Sequence, residues 1–159
     1  MAHQWSIEIH AKEIHDPAWK DKVERWYQLD EASRVLCEAF SRFLKTPQDL
    51  EAILACESII YAFSSGSNWA DLDFVQSGAE SPSKFVYTLP NIPIQVLQQM
   101  LAMQKPTYCV YLGDIRPEEK LKTLQLSLMH NGKRVLVITL QPAKNTIKDC
   151  WTIEAEIKS

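Results

Sequence analysis

Glycine is scarce: the chain has four in 159 residues, and none stands in a GxGxxG or GxxxxGK(S/T) arrangement. A phosphate-cradling loop needs glycine so that successive backbone N–H groups can close on the phosphates, so nucleotide binding by such a loop is excluded. Cys-x-x-Cys pairs are absent too. Cys37, Cys56, Cys109 and Cys150 stand singly in mostly apolar stretches, with no histidine at a zinc-ligand spacing. Each is expected to be a buried free thiol rather than a metal ligand or half of a redox pair. No apolar run approaches the ~20 residues that span a bilayer. Met1-Ala2-His3-Gln4-Trp5 has neither the basic nor the apolar region of a secretory signal. The expectation from these absences is a cytoplasmic protein with no membrane contact. Basic tracts are also missing: 17 Lys and Arg are scattered among 20 Asp and Glu for a net charge of -3, which gives nucleic acid nothing to be drawn to. Without a repeat, a low-complexity stretch or a linker, residues 1–159 are expected to form one domain, and no cofactor is expected.

What is present is a globular balance, 46% hydrophobic and 23% charged, with clear periodicities. Trp5 to Ala11 alternates apolar and polar side chains, the period of a half-buried strand. Asp16-Pro17 can open a helical turn, and Ala18, Trp19, Val23, Trp26 and Tyr27 recur at helical offsets, although this stretch could equally be irregular. Asp30 to Leu44 has one apolar helical face of Val35, Leu36, Ala39, Phe40 and Phe43. Thr46-Pro47 stops that helix and caps a short one over Gln48 to Leu54.

Ser58 to Phe63 is a nearly unbroken apolar run, which suits a strand buried on both faces. The loop Ser64-Ser65-Gly66-Ser67-Asn68 reads as a strand-to-helix turn rather than an anion cradle. A short helix over Trp69 to Gln76 and a turn cluster over Ser77 to Pro82 follow. Another helix should begin after Asn91. Thr107 to Leu112 and Val135 to Leu140 are two further buried strands. Between them lies a helix that starts near Pro117 and stops at Asn131-Gly132. Cys150 to Ile157 alternates and should be a strand with one wet face. Strands alternating with helices imply a mainly parallel sheet covered on both faces, with the last strand antiparallel because its connection is too short for a helical crossover.

From Ser58 to Leu140 the chain resembles the β-ketoacyl synthases of the thiolase superfamily, in their N-terminal half. Ile60 to Gly66 corresponds to that family's strand and Ser/Gly-rich loop, Ser81-Pro82-Ser83-Lys84-Phe85 to a Ser-Pro-x-x-Phe-like signature, and Asn91 to a helix-start asparagine. Lys105-Pro106-Thr107 corresponds to the entry into the nucleophile strand, and His130-Asn131-Gly132 to the end of the third helix. The resemblance implies a three-layer α/β half with a five-stranded mixed sheet of order 3-2-1-4-5.

The catalytic groups of that family do not carry over. The resemblance places the nucleophilic cysteine eight residues beyond the proline, where the N-terminus of a helix activates the thiol. That count from Pro106 reaches Asp114. Asp114 is expected to cap a helix, and its alternative role is an acid or base in a residual pocket beside Arg116. Cys109, the nearest thiol, is expected to be packed and inert in mid-strand. The imidazoles that assist decarboxylation come, in the family, from the other half of the enzyme. His3, His10, His15 and His130 all lie in this half. The helix after Asp114 carries Arg116, Glu118, Glu119, Lys120 and Lys122, charges too costly to bury unpaired between two sheets, so its outer face is expected to be wet.

The resulting expectation is a noncatalytic, ketosynthase-like accessory or binding protein of fatty-acid, polyketide or aryl-polyene biosynthesis. Its candidate pocket is Ser65, Asn91, Cys109, Asp114 and Arg116. Its candidate partners are a second copy or a full ketosynthase, paired through the strand Thr107 to Leu112, and an acyl carrier protein. The alternatives are a divergent acyl-thioester enzyme using Asp114 or Cys109, and a purely structural or regulatory module.

Overall fold

Two strands of this protein are apolar on both faces, and the rest of the structure is arranged to cover them. The computed structural model describes residues 3–64, 91–113, 116–143 and 149–159. Its strands are β1 (Gln4–His10), β2 (Ser58–Phe63), β3 (Thr107–Tyr111), β4 (Val135–Pro142) and β5 (Cys150–Lys158). Its helices are α1 (Glu31–Phe43), α2 (Pro47–Leu54), α3 (Ile92–Met100) and α4 (Pro117–Leu128). The expected helix over Trp69 to Gln76, the turn cluster over Ser77 to Pro82 and the Ser81 to Phe85 signature lie outside the described residues.

All six residues of β2 are buried, as are Val135 to Ile138 and Leu140 of β4. These strands pair in parallel at the middle of a five-stranded mixed sheet. On one face Ile59, Tyr61 and Phe63 of β2 and Leu136, Ile138 and Leu140 of β4 pack into the main core with Phe40 of α1, Ile94 and Leu97 of α3, and Trp151 and Ile153 of β5. On the other face Ile60, Val135 and Val137 form a smaller core under Leu121, Leu124 and Leu128 of α4. Helices thus cover both faces, the three-layer arrangement that continuous apolar runs require.

The sheet order is β1-β5-β4-β2-β3, which corrects the expected 3-2-1-4-5. The adjacent pairs β3-β2 and β4-β5 are as expected, and β5 is antiparallel to β4. β1 is not central. It sits at the far edge, antiparallel to β5 in the register Ile7↔Ile153. The cause is its own period-two pattern: Gln4, Ser6 and Glu8 are exposed, and no position between β2 and β4 could keep such a face in water. The long connection from β1 to β2, which includes α1 and α2, lets the chain pass over β5 and β4.

Local signals set the helix boundaries. Asp30 accepts a hydrogen bond from the Ser33 backbone N–H at the start of α1, as an N-cap should. Thr46 and Asp49 form a reciprocal capping box on α2, with Thr46 N–H donating to Asp49 Oδ2 at 3.0 Å and Asp49 N–H to Thr46 Oγ1 at 3.3 Å. Between β1 and α1 there are only single 3-10 turns, Ala11–Glu13, Lys20–Lys22 and Trp26–Gln28. Trp19 and Val23 are buried there while Tyr27 is exposed, so the apolar side chains of this segment are pinned one at a time and do not form a helical stripe. Two indoles tie surrounding segments to α1: Trp19 Nε1 donates to Glu38 Oε2 at 2.8 Å and Trp151 Nε1 to Glu31 Oε1 at 2.6 Å. The helix after Pro117 ends at Leu128, short of the expected Asn131-Gly132. The chain then makes a 3-10 turn over His130–Gly132 in which Asn131 and Gly132 take φ of 65° and 75°. A positive φ favours these two residue types.

Ile138 is fully buried, whereas Leu126 on α4 is 62% exposed. Ile138→Ala is therefore expected to lower the unfolding free energy by about 2–5 kcal/mol, and Leu126→Ala to change it by no more than about 0.5 kcal/mol. Urea denaturation of the two variants checks both.

Candidate functional site

In this fold the expected site would lie beyond the C-terminal ends of β2 and β3 and near the starts of α3 and α4. Ser65 and Asp114 lie outside the described residues. Asn91 is half-buried at the N-cap of α3 and accepts the Gln95 N–H at 3.1 Å through its backbone carbonyl, but its side chain makes no capping bond. Arg116 is exposed at the N-cap of α4 with φ of 53°. Its guanidinium stands 3.8 Å from Glu119, and both partners are about three-quarters exposed, so the pair adds little. Among the described residues no hydrogen bond or ion pair joins Asn91, Cys109 and Arg116.

Cys109 is in mid-strand as expected but exposed, which corrects the expectation that all four thiols are buried. The reason is the topology: among the described residues β3 has β2 on one side and no strand on the other. Partial burial pushes the Cys109 thiol above its usual pKa, with no cation or imidazole among the described residues to oppose it, so the reactive thiolate is scarce near neutrality. Cys37, Cys56 and Cys150 are buried; burial holds Cys37 far above the usual thiol range and Cys56 at about 11. His3 stacks on Trp5 at 5.6 Å. His15 and His130 are exposed and His10 half-buried. His130 lies in the 3-10 turn after α4, beyond the helix in which the sequence placed it, and donates no hydrogen bond to any cysteine or carboxylate of the described residues. No three His, Cys, Asp or Glu side chains among the described residues converge as a metal site, and no described helix is long and apolar enough to cross a membrane.

A set of buried polar groups was not singled out from the sequence. Asp30 sits at the α1 N-cap, where Ser33 donates to it from both its N–H and its hydroxyl. Burial pushes Asp30 up to about 6, against the opposing effects of the Ser33 bonds and the Arg34 charge. Arg34 Nε, the Tyr61 hydroxyl and the Ser64 hydroxyl are buried without a hydrogen-bond partner among the described residues, and the Asp30 charge reaches both Tyr61 and Cys37. An unpartnered buried donor costs about 1–3 kcal/mol. The one sequence signal was Tyr61 itself, a hydroxyl within an otherwise apolar run.

Clefts formed by the described residues lie away from these groups. One, of about 740 Å³, runs between α1, α2 and the end of α3. A second follows the glutamines of α3, and a third lies between β1 and α1. None is lined by Asn91, Cys109 or Arg116.

No family model matches this sequence, and no curated protein matches it. A solved structure does: the ketosynthase ApeO in complex with its chain length factor ApeC, from Xenorhabdus doucetiae. The match has a TM-score of 0.62 at 15% identity and covers 84% of this chain and 59% of that one. What is shared at that identity is the fold. The chain thus has the three-layer α/β fold of a ketosynthase-type protein and spans little more than half the length of the chain it matches.

Two predictions follow from these environments. Iodoacetamide applied to the native protein should label Cys109 and spare Cys37, Cys56 and Cys150, with the rate rising through pH 9 as the thiolate forms; peptide mass spectrometry reads the site. Because the folded state holds the Asp30 proton more tightly than an ordinary aspartate of pKa 3.8, this group makes stability fall as pH rises from about 4 to about 6, by at most roughly 3 kcal/mol. Asp30→Asn keeps a capping oxygen and should remove that fall. The variant should match the parent near pH 4 and exceed it above pH 6 in denaturant titrations.

Proposed function

We propose that this chain is a noncatalytic ketosynthase-like accessory protein of acyl-chain assembly, acting in the cytoplasm as one domain over residues 1–159. It pairs along its β3 edge with a full ketosynthase or with a second copy of itself. The observation that carries this reading is the edge of β3, which among the described residues is undefended. Ile59 N–H donates to Pro106 O and Leu112 N–H to Phe63 O, so the even-numbered residues of this strand turn their backbone groups toward β2. Thr107, Cys109 and Tyr111 therefore turn theirs off the sheet. No charged residue or proline occurs from Thr107 to Tyr111, and Tyr108 and Tyr111 are 40% and 48% exposed. Edge strands that must stay single are normally guarded by charge, proline or a bulge. The other edge, β1, has Glu8 and His10.

The matched structure is itself a ketosynthase held in a complex with a chain length factor. That pairing supports a protein partner for this chain and, through the ketosynthase, a role in fatty-acid, polyketide or aryl-polyene biosynthesis. An acyl carrier protein is the weaker partner, because a net charge of -3 gives an acidic carrier no attraction.

Several features argue against turnover by the chain alone. Asp114 stands where the resemblance calls for a thiol, and a carboxylate is a poor acceptor from a thioester. Cys109 has an elevated pKa and no base beside it. The candidate pocket of Ser65, Asn91, Cys109, Asp114 and Arg116 would then be a remnant without a nucleophile.

Cys109→Pro tests the edge directly, because it removes an outward N–H and leaves every bond to β2 in place. Sedimentation should find the parent dimeric at high micromolar concentration, or in a stoichiometric complex with a ketosynthase. The variant should keep its circular dichroism spectrum and lose the association. A parent that stays monomeric with and without ketosynthase overturns the pairing. An acyl adduct trapped on the chain by an acyl thioester overturns the noncatalytic assignment.

A further inference from the structure

The cleft of about 740 Å³ between α1, α2 and the end of α3 has a composition that the pairing at β3 does not use. Its walls are apolar: Trp19, Phe40, Leu44, Leu50, Met100 and Leu101 line it. Its only charged lining residues are Lys22 and Lys45. Both are exposed, and among the described residues neither ammonium takes part in an ion pair or hydrogen bond. The neighbouring clefts differ. The one along α3 is lined by Gln95, Gln98, Gln99 and Gln104 with a single lysine, and the one between β1 and α1 shares Lys45 and adds Arg42 and Asp49. Of the three, the first is the one whose described lining sets two lysines and no carboxylate over an apolar floor, within the size range of small-molecule sites.

We propose that this groove binds an amphiphilic carboxylate, a medium-length aliphatic acid whose chain lies on the apolar walls and whose carboxylate meets Lys22 and Lys45. The proposal stands independently of the ketosynthase reading. The rim suits a carboxylate better than a phosphate. It has no arginine for bidentate contact, and the N-terminus of α2, which would otherwise attract a phosphate, is already closed by Thr46 and Asp49. The Ser41 hydroxyl and the Gln99 side-chain amide are further donors in the lining. Ala102, at φ of 51°, ends α3 with its N–H bonded to Gln99 O at 3.2 Å, which holds the Met100 to Ala102 wall in place.

Amide-shift titrations of the full chain with decanoate, decanol and decyl phosphate test this. Decanoate at millimolar concentration should give saturable shifts confined to amides lining the groove, and bind more tightly than decanol. Lys22→Gln with Lys45→Gln, both at exposed positions, should weaken decanoate by about tenfold or more and leave decanol unchanged. Leu101→Asp, which sets a like charge in the apolar wall, should abolish the decanoate shifts. The proposal is overturned if decanoate produces no saturable shift or shifts residues elsewhere. It is also overturned if the double lysine variant binds decanoate like the parent, if Leu101→Asp leaves it bound, or if decyl phosphate binds about tenfold more tightly.

Discussion

The structure depends on keeping both faces of β2 out of water. Ser58 to Phe63 are all buried, and a strand in that position must have a strand on each side and a helical layer above and below. β4 and β3 meet the first requirement, α1 and α3 on one face and α4 on the other the second. Burial on this scale, at roughly 25 cal/mol per Å² of apolar surface, outweighs the cost of local concessions. The unpartnered hydroxyl of Tyr61 is one such concession. The ring stacks on Phe63 at 5.4 Å and is too large a part of the core to be turned outward for the sake of its oxygen.

The two faces of the sheet are not equivalent. The α1 face is apolar from β1 to β2, and Trp5, Ile7, Ile153, Leu136, Tyr61 and their neighbours form one continuous core. The α4 face is apolar over β2, β4 and Val110 of β3. Toward β5 and β1 it carries Thr152, Glu154, Glu156 and Lys158 beside Ser6 and Glu8. α4 itself buries none of its residues completely and presents Glu118, Glu119 and Lys122 to water. A second sheet layered over this face would have to strip those charges of water, at a cost of several kcal/mol for each one left unpaired. The charges on this helix were the sequence's own argument for a wet face, and the polar halves of β5 and β1 extend it.

Much of the fold was legible in the sequence. The unbroken apolar runs identified β2, β3 and β4, the alternation of Trp5 to Ala11 and Cys150 to Ile157 identified β1 and β5, and Asp30 and Thr46 marked the helix starts. The candidate site was legible mainly as a mismatch, an aspartate where the resemblance calls for a thiol. The environment of Cys109 was not legible. Its strand is apolar enough to read as buried, and nothing local tells a central strand from an edge that keeps its apolar side chains for a partner. Asp30 read as the start of a helix, and the structure makes it the N-cap, but the burial that raises its pKa comes from segments distant in sequence.

By itself the sequence determined the element types, their limits to within a few residues, and which strands must be enclosed, because these follow from side-chain period and capping chemistry within a dozen residues of chain. Only the tertiary structure decided the position of β1, the exposure of Cys109 and the meeting of Lys22, Lys45 and the end of α3 around one groove. Those depend on which distant segments become neighbours, and the pairing of strands and the closing of layers fix that through contacts the local pattern does not encode.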